Sequence, residues 1–372
     1  SDFEMPSRHG RGPAPLYRDG RVFVEGMHAL RAYNAYNGRT LWEFPLRGIL
    51  EPYDQEHLVG TAATGSNLCM VGGEICVAVG SRCLVIDTAD GEVLRKLPAP
   101  RAEEGERPEW GYLARVDNTL YGSVANTEHI VHWAYRPGDM QELLSESQLF
   151  FAMDARSGEV QWTYRPKHSI RHNTIAIGDG RGYLIDRPLA TGDRLDAAEP
   201  AVHPPGTLLA LDAASGEVLW RAEDVDGTLL ALSVEHDVLL MTQQHTRFKL
   251  PSEKGGQMTA FRASTGELLW QVPSDPQGKA SRPIIIDDVI YNEPGAWKLT
   301  TGERLDFHLA RSYGCGIMAG CPGMLVYRSA TLGYAELDAF EGTENYGGIR
   351  PGCWINAIPA GAIVSMPDAT AR

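Results

Sequence analysis

The chain has no long apolar run and comparatively little positive charge. No segment approaches the roughly 20 apolar residues that a membrane helix needs, so we expect no membrane span. Its 34 lysines and arginines are outnumbered by 48 aspartates and glutamates, which gives a formal net charge of −14. Because an acidic chain is repelled by nucleic-acid phosphates, we do not expect nucleic-acid binding.

Cysteine is scarce, and no Cys-x-x-Cys pair is present. This excludes zinc-ribbon and thioredoxin-type proteins. The six cysteines are Cys69, Cys76, Cys83, Cys315, Cys321 and Cys353. The first three lie in apolar, strand-like runs, so we expect them to be small buried hydrophobic side chains.

Glycine and proline, in contrast, are abundant, with 40 and 23 residues, as in chains that have many tight turns and few long helices. One short pattern, Ala-x-Asp-x-x-x-Gly-x-x-x-Trp, recurs along the chain with some substitutions. Its glycines are Gly38, Gly91, Gly158, Gly216, Gly266 and Gly302, with gaps of 53, 67, 58, 50 and 36 residues. Such a period is typical of propeller blades joined by loops of variable length.

Each position of this pattern has a physical role. We expect the Asp or Asn to accept hydrogen bonds from backbone N–H groups two residues on. The glycine should adopt the left-handed conformation that the turn requires. The tryptophan should lie between neighbouring blades and cover the gap between two twisted sheets. We therefore interpret these tryptophans as structural residues.

The repeats predict an all-β fold, a β-propeller of four-stranded antiparallel blades. We expect eight blades, with a degenerate seventh unit over residues 317–334 and an eighth that begins at Cys353. The eighth is either incomplete or closed by the N-terminus, and seven blades are the alternative. Residues 1–372 then form a single domain, which we expect to be a fragment of a longer chain because the outer strands of the last blade are missing.

The repeat units resemble those of pyrroloquinoline quinone (PQQ) dehydrogenases and of the lipoprotein scaffold of the bacterial outer-membrane assembly machine. Residues 8–24, 313–317 and 348–360 resemble the secreted quinoprotein-like propellers common in planctomycetes. The resemblance implies a secreted or periplasmic protein whose signal peptide is not in this sequence. Quinone dehydrogenases also use two adjacent cysteines and a Glu/Asn/Asp calcium site. Neither is found here, so PQQ is not expected.

Loops that lead into the innermost strands of a propeller converge at one mouth of its channel. In this acidic chain they supply several arginines, which predicts an anionic ligand, and tryptophans on which a sugar ring could stack. The expected ligand is an acidic saccharide or another small anion. The candidate ligand-binding residues are Arg8, Arg11, Asn67, Trp110, Arg171, Asn173, Arg282, Trp354 and Asn356.

Two functional hypotheses use this mouth. The first is a noncatalytic binding or scaffold domain, whose long inserts over residues 103–109, 124–147 and 189–205 could also bind a protein partner. The second is a polysaccharide lyase that performs β-elimination on a uronate glycan, which needs a cation, a base and an acid. The candidates are Arg350 or Arg11 as the cation, His9 or His172 as the base, and Tyr313 or Tyr112 as the acid.

A third hypothesis is a PQQ- or metal-dependent redox protein. Cys315 and Cys353 begin neighbouring inner strands of the predicted fold. They could bind a metal together with His9, form a disulfide, or remain free and buried.

Overall fold

A computed structural model shows an almost entirely β-stranded protein. The structure describes residues 13–26, 28–46, 67–103, 105, 107–133, 141–194, 197, 204–243, 251–253, 255–274, 282–314, 316–352 and 357–366. Among these residues the only helical turn is the 3-10 segment Thr191–Asp193. The all-β prediction is confirmed.

The chain is organised as consecutive antiparallel units, of which the first two are separate four-stranded sheets and the third and fourth together form one eight-stranded sheet. The first unit contains β1 (Leu16–Arg18), β2 (Arg21–Glu25), β3 (Ala29–Asn34) and β4 (Thr40–Pro45). The second contains β5 (Leu68–Val71), β6 (Glu74–Val79), β7 (Arg82–Asp87) and β8 (Val93–Pro98). The third contains β9 (Trp110–Val116), β10 (Thr119–Ala125), β13 (Glu146–Asp154) and β14 (Val160–Tyr164), with the hairpin β11 (Ile130–Trp133) and β12 (Gln141–Leu144) inserted after β10.

The remaining units repeat this arrangement with four, four, three and four strands, and a two-stranded hairpin follows them. The fourth contains β15 (Ser169–Gly178), β16 (Arg181–Arg187), β17 (Gly206–Asp212) and β18 (Val218–Val225). The fifth contains β19 (Leu229–Ser233), β20 (Val238–Gln243), β21 (Gln257–Arg262) and β22 (Leu268–Pro273). The sixth contains β23 (Ile284–Ile286), β24 (Val289–Asn292) and β25 (Gly295–Lys298); the seventh contains β26 (Ala319–Cys321), β27 (Met324–Ser329), β28 (Thr331–Glu336) and β29 (Glu344–Asn345). A final hairpin contains β30 (Ile358–Ala360) and β31 (Ile363–Ser365).

The repeat turns have the expected geometry. All six glycines of the pattern have φ between 71° and 81°. In the fourth unit, Asp212 Oδ1 accepts hydrogen bonds from the backbone N–H groups of Ala214 (3.0 Å) and Ser215 (2.8 Å). Asp154 makes the equivalent bonds in the third unit. The carboxylate and the glycine together fix the reversal between the third and fourth strands of these units.

The tryptophans join one unit to the next, as the pattern predicts. The indole N–H of Trp162 donates to the Ala213 carbonyl at 2.9 Å, and its ring covers Gly216 of the next unit. A Cβ atom on Gly216 would lie 2.7 Å from that ring, so a glycine is needed here. Equivalent contacts join Trp42 to Gly91, Trp220 to Gly266 and Trp270 to Gly302.

Arginine replaces tryptophan at this position in the second unit. The Nε–H group of Arg95 donates to the Ala155 carbonyl at 3.0 Å. This carbonyl lies three residues before the pattern glycine Gly158, as Ala213 lies three residues before Gly216. The guanidinium thus preserves the inter-unit hydrogen bond without the aromatic cover.

The final hairpin lies between the seventh unit and the first. Ala357 packs in a cluster with Val326 and Leu332 of the seventh unit. At the other side, the Gly361 carbonyl accepts a hydrogen bond from the Tyr36 hydroxyl of the first unit at 3.3 Å. A two-stranded hairpin therefore follows the seventh unit, and the number of blades remains a prediction. Whether the N-terminus completes an eighth unit also remains a prediction, because residues 1–12 lie outside the described part of the chain.

Candidate functional site

The two ends of the sheets differ in the connections between strands that lie there. In an up-and-down sheet, successive hairpins alternate between its ends, so the repeat turns share one end, which we call the turn face. The opposite end, the loop face, carries the links between units and the connections from each second strand to the third. Every buried polar or charged side chain of the described residues lies in a loop-face connection or on the loop-face half of its sheet.

The described candidates fall into separate groups on the loop face. Trp110, Tyr112, Arg171, His172 and Asn173 lie where the third and fourth units meet. Asn67 begins the second unit, Arg282 precedes the sixth, and Tyr313 and Arg350 flank the seventh. The other candidates lie outside the described residues: Arg8, His9, Arg11, Cys315, Cys353, Trp354 and Asn356.

His172 is joined to two serines at the meeting point of the third and fourth units. Ser147 Oγ lies 2.8 Å from His172 Nε2 and donates a hydrogen bond to Ser123 Oγ at 2.8 Å. Gly111 makes room for all three side chains, since a Cβ atom there would lie within 2.7 Å of each. The sequence-based expectation that residues 110–112 and 171–173 converge therefore agrees with this geometry, although both serines are fully buried.

Arg171 has carboxylate partners within the protein. Its Nε–H donates to Glu146 Oε1 at 3.0 Å and its Nη2 to Asp193 Oδ2 at 3.0 Å. Nη2 also reaches Ser252 Oγ at 2.8 Å, and the arginine is only 3% exposed. Although burial opposes ionisation, Arg171 and Arg187 lower the pKa of Glu146. Arg171 therefore needs no external anion, because Glu146 and Asp193 neutralise it.

Arg187 differs from Arg171 because no ion pair holds it within the described residues. It is 3% exposed, and its Nη1 donates to the Gly227 carbonyl at 3.3 Å. Burial and the nearby Arg171 lower its pKa to about 10. The sequence predicts no role for Arg187, nor for Glu146, Asp193 or Ser252. The two carboxylates and the serine lie at the ends of long inserts or within them, and no local sequence motif surrounds them.

Two candidates on the loop face are core residues. Trp110 is 2% exposed and packs edge-on against Phe151, with 5.1 Å between ring centroids, so it presents no face to a sugar ring. Asn67 is 2% exposed and its Nδ2 donates to Glu25 Oε1 at 3.0 Å.

Burial raises the pKa of Tyr112 well above its usual range, which makes the Tyr112 hydroxyl a poor acid.

Tyr313 and Arg350, in contrast, are exposed beside the same strand connection. Tyr313 is 74% exposed, and its carbonyl accepts a hydrogen bond from the Ala330 N–H. The carbonyl of Ile349, the neighbour of Arg350, accepts one from the Leu332 N–H at 2.9 Å. Tyr346, 65% exposed, packs on Tyr334 with 5.1 Å between ring centroids. Exposed aromatic rings and a guanidinium thus share one part of the loop face.

The remaining described candidates are less informative. Arg282 is exposed and Asn173 is half-buried in the irregular part of β15.

Across the described residues, no group of three His, Cys, Asp or Glu side chains is placed to hold a metal ion. The proposed metal ligands Cys315, Cys353 and His9 lie outside those residues, so that hypothesis remains a prediction. Nor does any helix in the described ranges have the length and apolar character to cross a membrane.

Comparison with known proteins supports the repeat assignment. Residues 113–292 match the family model PQQ_2, described as outer membrane protein assembly factor BamB. The crystal structure of BamB from Moraxella catarrhalis is similar with a TM-score of 0.53 and 14% identity, over 88% of this chain and 83% of that one. The protein is a β-propeller with PQQ-like repeats. At these identities the structural likeness concerns the fold alone.

Two further proteins are similar to this chain, one over 98% of its length and the other over 65%. The computationally designed protein Ika8 has a TM-score of 0.59 and 11% identity, over 98% of this chain and 93% of that one. The serine/threonine-protein kinase AfsK of Streptomyces coelicolor is 24% identical over 249 residues, or 65% of this chain. That match spans only 25% of the kinase.

Proposed function

We propose that this propeller is a noncatalytic binding domain whose loop face takes an acidic saccharide. The observation that carries the proposal is the exposed group beside the seventh unit, formed by Tyr313, Tyr346 and Arg350. Tyrosine rings offer apolar faces on which a sugar ring can stack. An exposed guanidinium can form two parallel hydrogen bonds with a carboxylate or sulfate group.

Two features favour binding over catalysis. β-Elimination needs a base and an acid around one sugar. Of the two candidate bases only His172 belongs to the described residues, and it lies between the third and fourth units whereas Tyr313 lies beside the seventh. In addition, Tyr112, the candidate acid nearer to His172, has a raised pKa. The assembly-factor description of the matching family model also supports a binding role. A protein partner could use the inserts of the same face.

The proposal is tested by equilibrium binding to a panel of polygalacturonate, alginate and sulfated glycans, with a neutral glucan for comparison. We expect binding to an acidic polymer that weakens as salt is added, because exposed charges are screened. Tyr313→Ala and Arg350→Gln should each weaken it by about tenfold, the effect of losing about 1.4 kcal/mol. Absence of binding to every acidic polymer would overturn the proposal.

A matched control comes from the turn face. Arg39 is exposed and lies in the repeat turn of the first unit. Arg39→Gln should leave affinity unchanged, provided that thermal melts confirm folding. Equal losses from both faces would contradict a loop-face site. Release of an unsaturated product from the polymer would overturn the noncatalytic assignment.

A further inference from the structure

Three cysteines of the second unit project from one face of their sheet. Cys69 lies directly opposite Cys76 across strands β5 and β6. Cys83 lies opposite Ala78, two residues along from Cys76. Because opposed residues and every second residue share a face, all three thiols point the same way. None of them forms a disulfide in the structure. We call Cys69, Cys76 and Cys83 the thiol cluster.

A guanidinium from the third unit reaches this cluster. Arg115 Nη1 lies 3.7 Å from Cys76 Sγ and 2.6 Å from Glu74 Oε2. Cys76 and Cys83 are fully buried, whereas Cys69 is only partly buried. The cluster therefore has an arginine on the side of Cys76 and some contact with solvent at Cys69.

The contacts assign different roles to the two opposed thiols. Hydrogen bonds from Cys69 and Cys83, together with Arg115, lower the pKa of Cys76 although burial opposes this. The hydrogen bond to Cys76 and burial raise the pKa of Cys69. Since the thiolate is the reactive form of cysteine, Cys76 is the nucleophile and Cys69 supplies the second thiol.

We propose that the Cys69–Cys76 pair is a reversible oxidation site that closes to a disulfide on exposure to hydrogen peroxide. Opposed residues of an antiparallel pair have Cα atoms about 4.5 or 5.5 Å apart, and both values lie within the range of about 4.4–6.8 Å for disulfides. Cys83 is diagonal to Cys76, and diagonal neighbours are about 7–8 Å apart. The geometry therefore selects Cys69 as the partner.

The oxidation proceeds in two balanced steps. The Cys76 thiolate attacks one peroxide oxygen, so that an S–O bond forms, the O–O bond breaks and hydroxide leaves. Cys76 becomes a sulfenic acid, and the peroxide is reduced by two electrons. The Cys69 sulfur then attacks the Cys76 sulfur, the S–S bond forms, and the departing hydroxide takes the thiol proton. Overall, two thiols and one peroxide give a disulfide and two waters.

The experiment treats the reduced, folded protein with hydrogen peroxide, blocks free thiols with an alkylating agent and maps the peptides by mass spectrometry. We expect a Cys69–Cys76 cross-link that dithiothreitol reverses. Cys83→Ser should leave the cross-link intact, whereas Cys69→Ser should abolish it and leave Cys76 as a sulfenic acid. Because the wild-type peptide map is decisive, the proposal remains testable even if a serine variant does not fold.

Arg115→Gln tests the role of the cation. Without this charge, the pH at which the cross-linking rate falls to half should rise by about one unit. Arg95→Gln is the matched control, because Arg95 also pairs with Glu74 but has no contact with the thiols. Free Cys69 and Cys76 after peroxide treatment, or a cross-link to Cys83, would overturn the proposal. An identical pH profile for both arginine variants would overturn the role of Arg115.

Discussion

Glu146 and Asp193 hold the guanidinium of Arg171 at the meeting point of the third and fourth units, and this arrangement defines the role of the arginine. The side chain is almost fully buried and links β15 to the 3-10 turn and to Ser252. We therefore expect Arg171 to maintain the shape of the loop face rather than to contact a ligand. Arg350, in contrast, is exposed, and it is the arginine that we propose as a ligand contact.

Removing the Arg171 charge should therefore affect folding more than binding. Arg171→Leu leaves Glu146 and Asp193 as uncompensated buried charges, and we expect unfolding free energy to fall by about 3–5 kcal/mol. Urea denaturation measures this change. The triple variant Arg171→Leu, Glu146→Gln, Asp193→Asn should recover part of the loss. Unchanged stability with lost glycan affinity would instead mark Arg171 as a ligand contact.

Because of Glu25, the free energy of unfolding should fall as pH rises. Burial raises its pKa from 4.5 to about 8, so the folded state holds a proton that the unfolded state releases. The Glu25 contribution is fully present below pH 4.5 and is lost as pH rises towards 8, at about 1.4 kcal/mol per unit. Glu25→Gln should remove this loss, whereas the same change at exposed Glu217 should not. Urea melts from pH 5 to 8 compare them, and parallel curves for wild type and Glu25→Gln would contradict this account.

At the scale of the strands, the units depend on each other through tryptophan. The indole ring of one unit covers the pattern glycine of the next and bonds to a carbonyl beside it. This contact explains why the glycine and the tryptophan recur together in the sequence. A single unit would expose both partners, so the repeats stabilise one another only as neighbours.

Loss of one such contact should be costly. Trp162→Ala removes an indole that is 8% exposed together with its hydrogen bond to Ala213, and we expect a loss of about 3–5 kcal/mol. Leu219→Ala, at a residue that is 49% exposed on the neighbouring β18, should cost less than about 0.5 kcal/mol. Thermal or urea unfolding distinguishes the two. A comparable cost for both variants would show that the aromatic cover is unimportant.

At the scale of the whole molecule, the sequence predicts the architecture better than the site. The spacing of the six glycines predicts the units, because one turn geometry requires one residue type at one position. Contacts between residues that are far apart in the sequence have no such local motif. Arg171 contacts Glu146, Asp193 and Ser252. The sequence predicts that Trp110 binds a sugar ring, although it packs against Phe151 in the core. Burial of this kind depends on how neighbouring units meet.

The two faces of the propeller differ in a way that favours the loop face for the proposed binding. The turn face is made of short, repeated reversals, whereas the loop face gathers the long connections and the buried polar side chains. Closure by the last hairpin, through Gly361 and Tyr36, occurs on the turn face and leaves the loop face unobstructed by that contact. Exposed Tyr313 and Arg350 then lie where recognition by loops is expected.

The most direct test is a crystal structure of the protein with the acidic oligosaccharide that binds most tightly in the panel. The account predicts a sugar ring against Tyr313 or Tyr346 and a carboxylate or sulfate group at Arg350. A ligand seated on the turn face or along an outer strand, with those residues untouched, would contradict it.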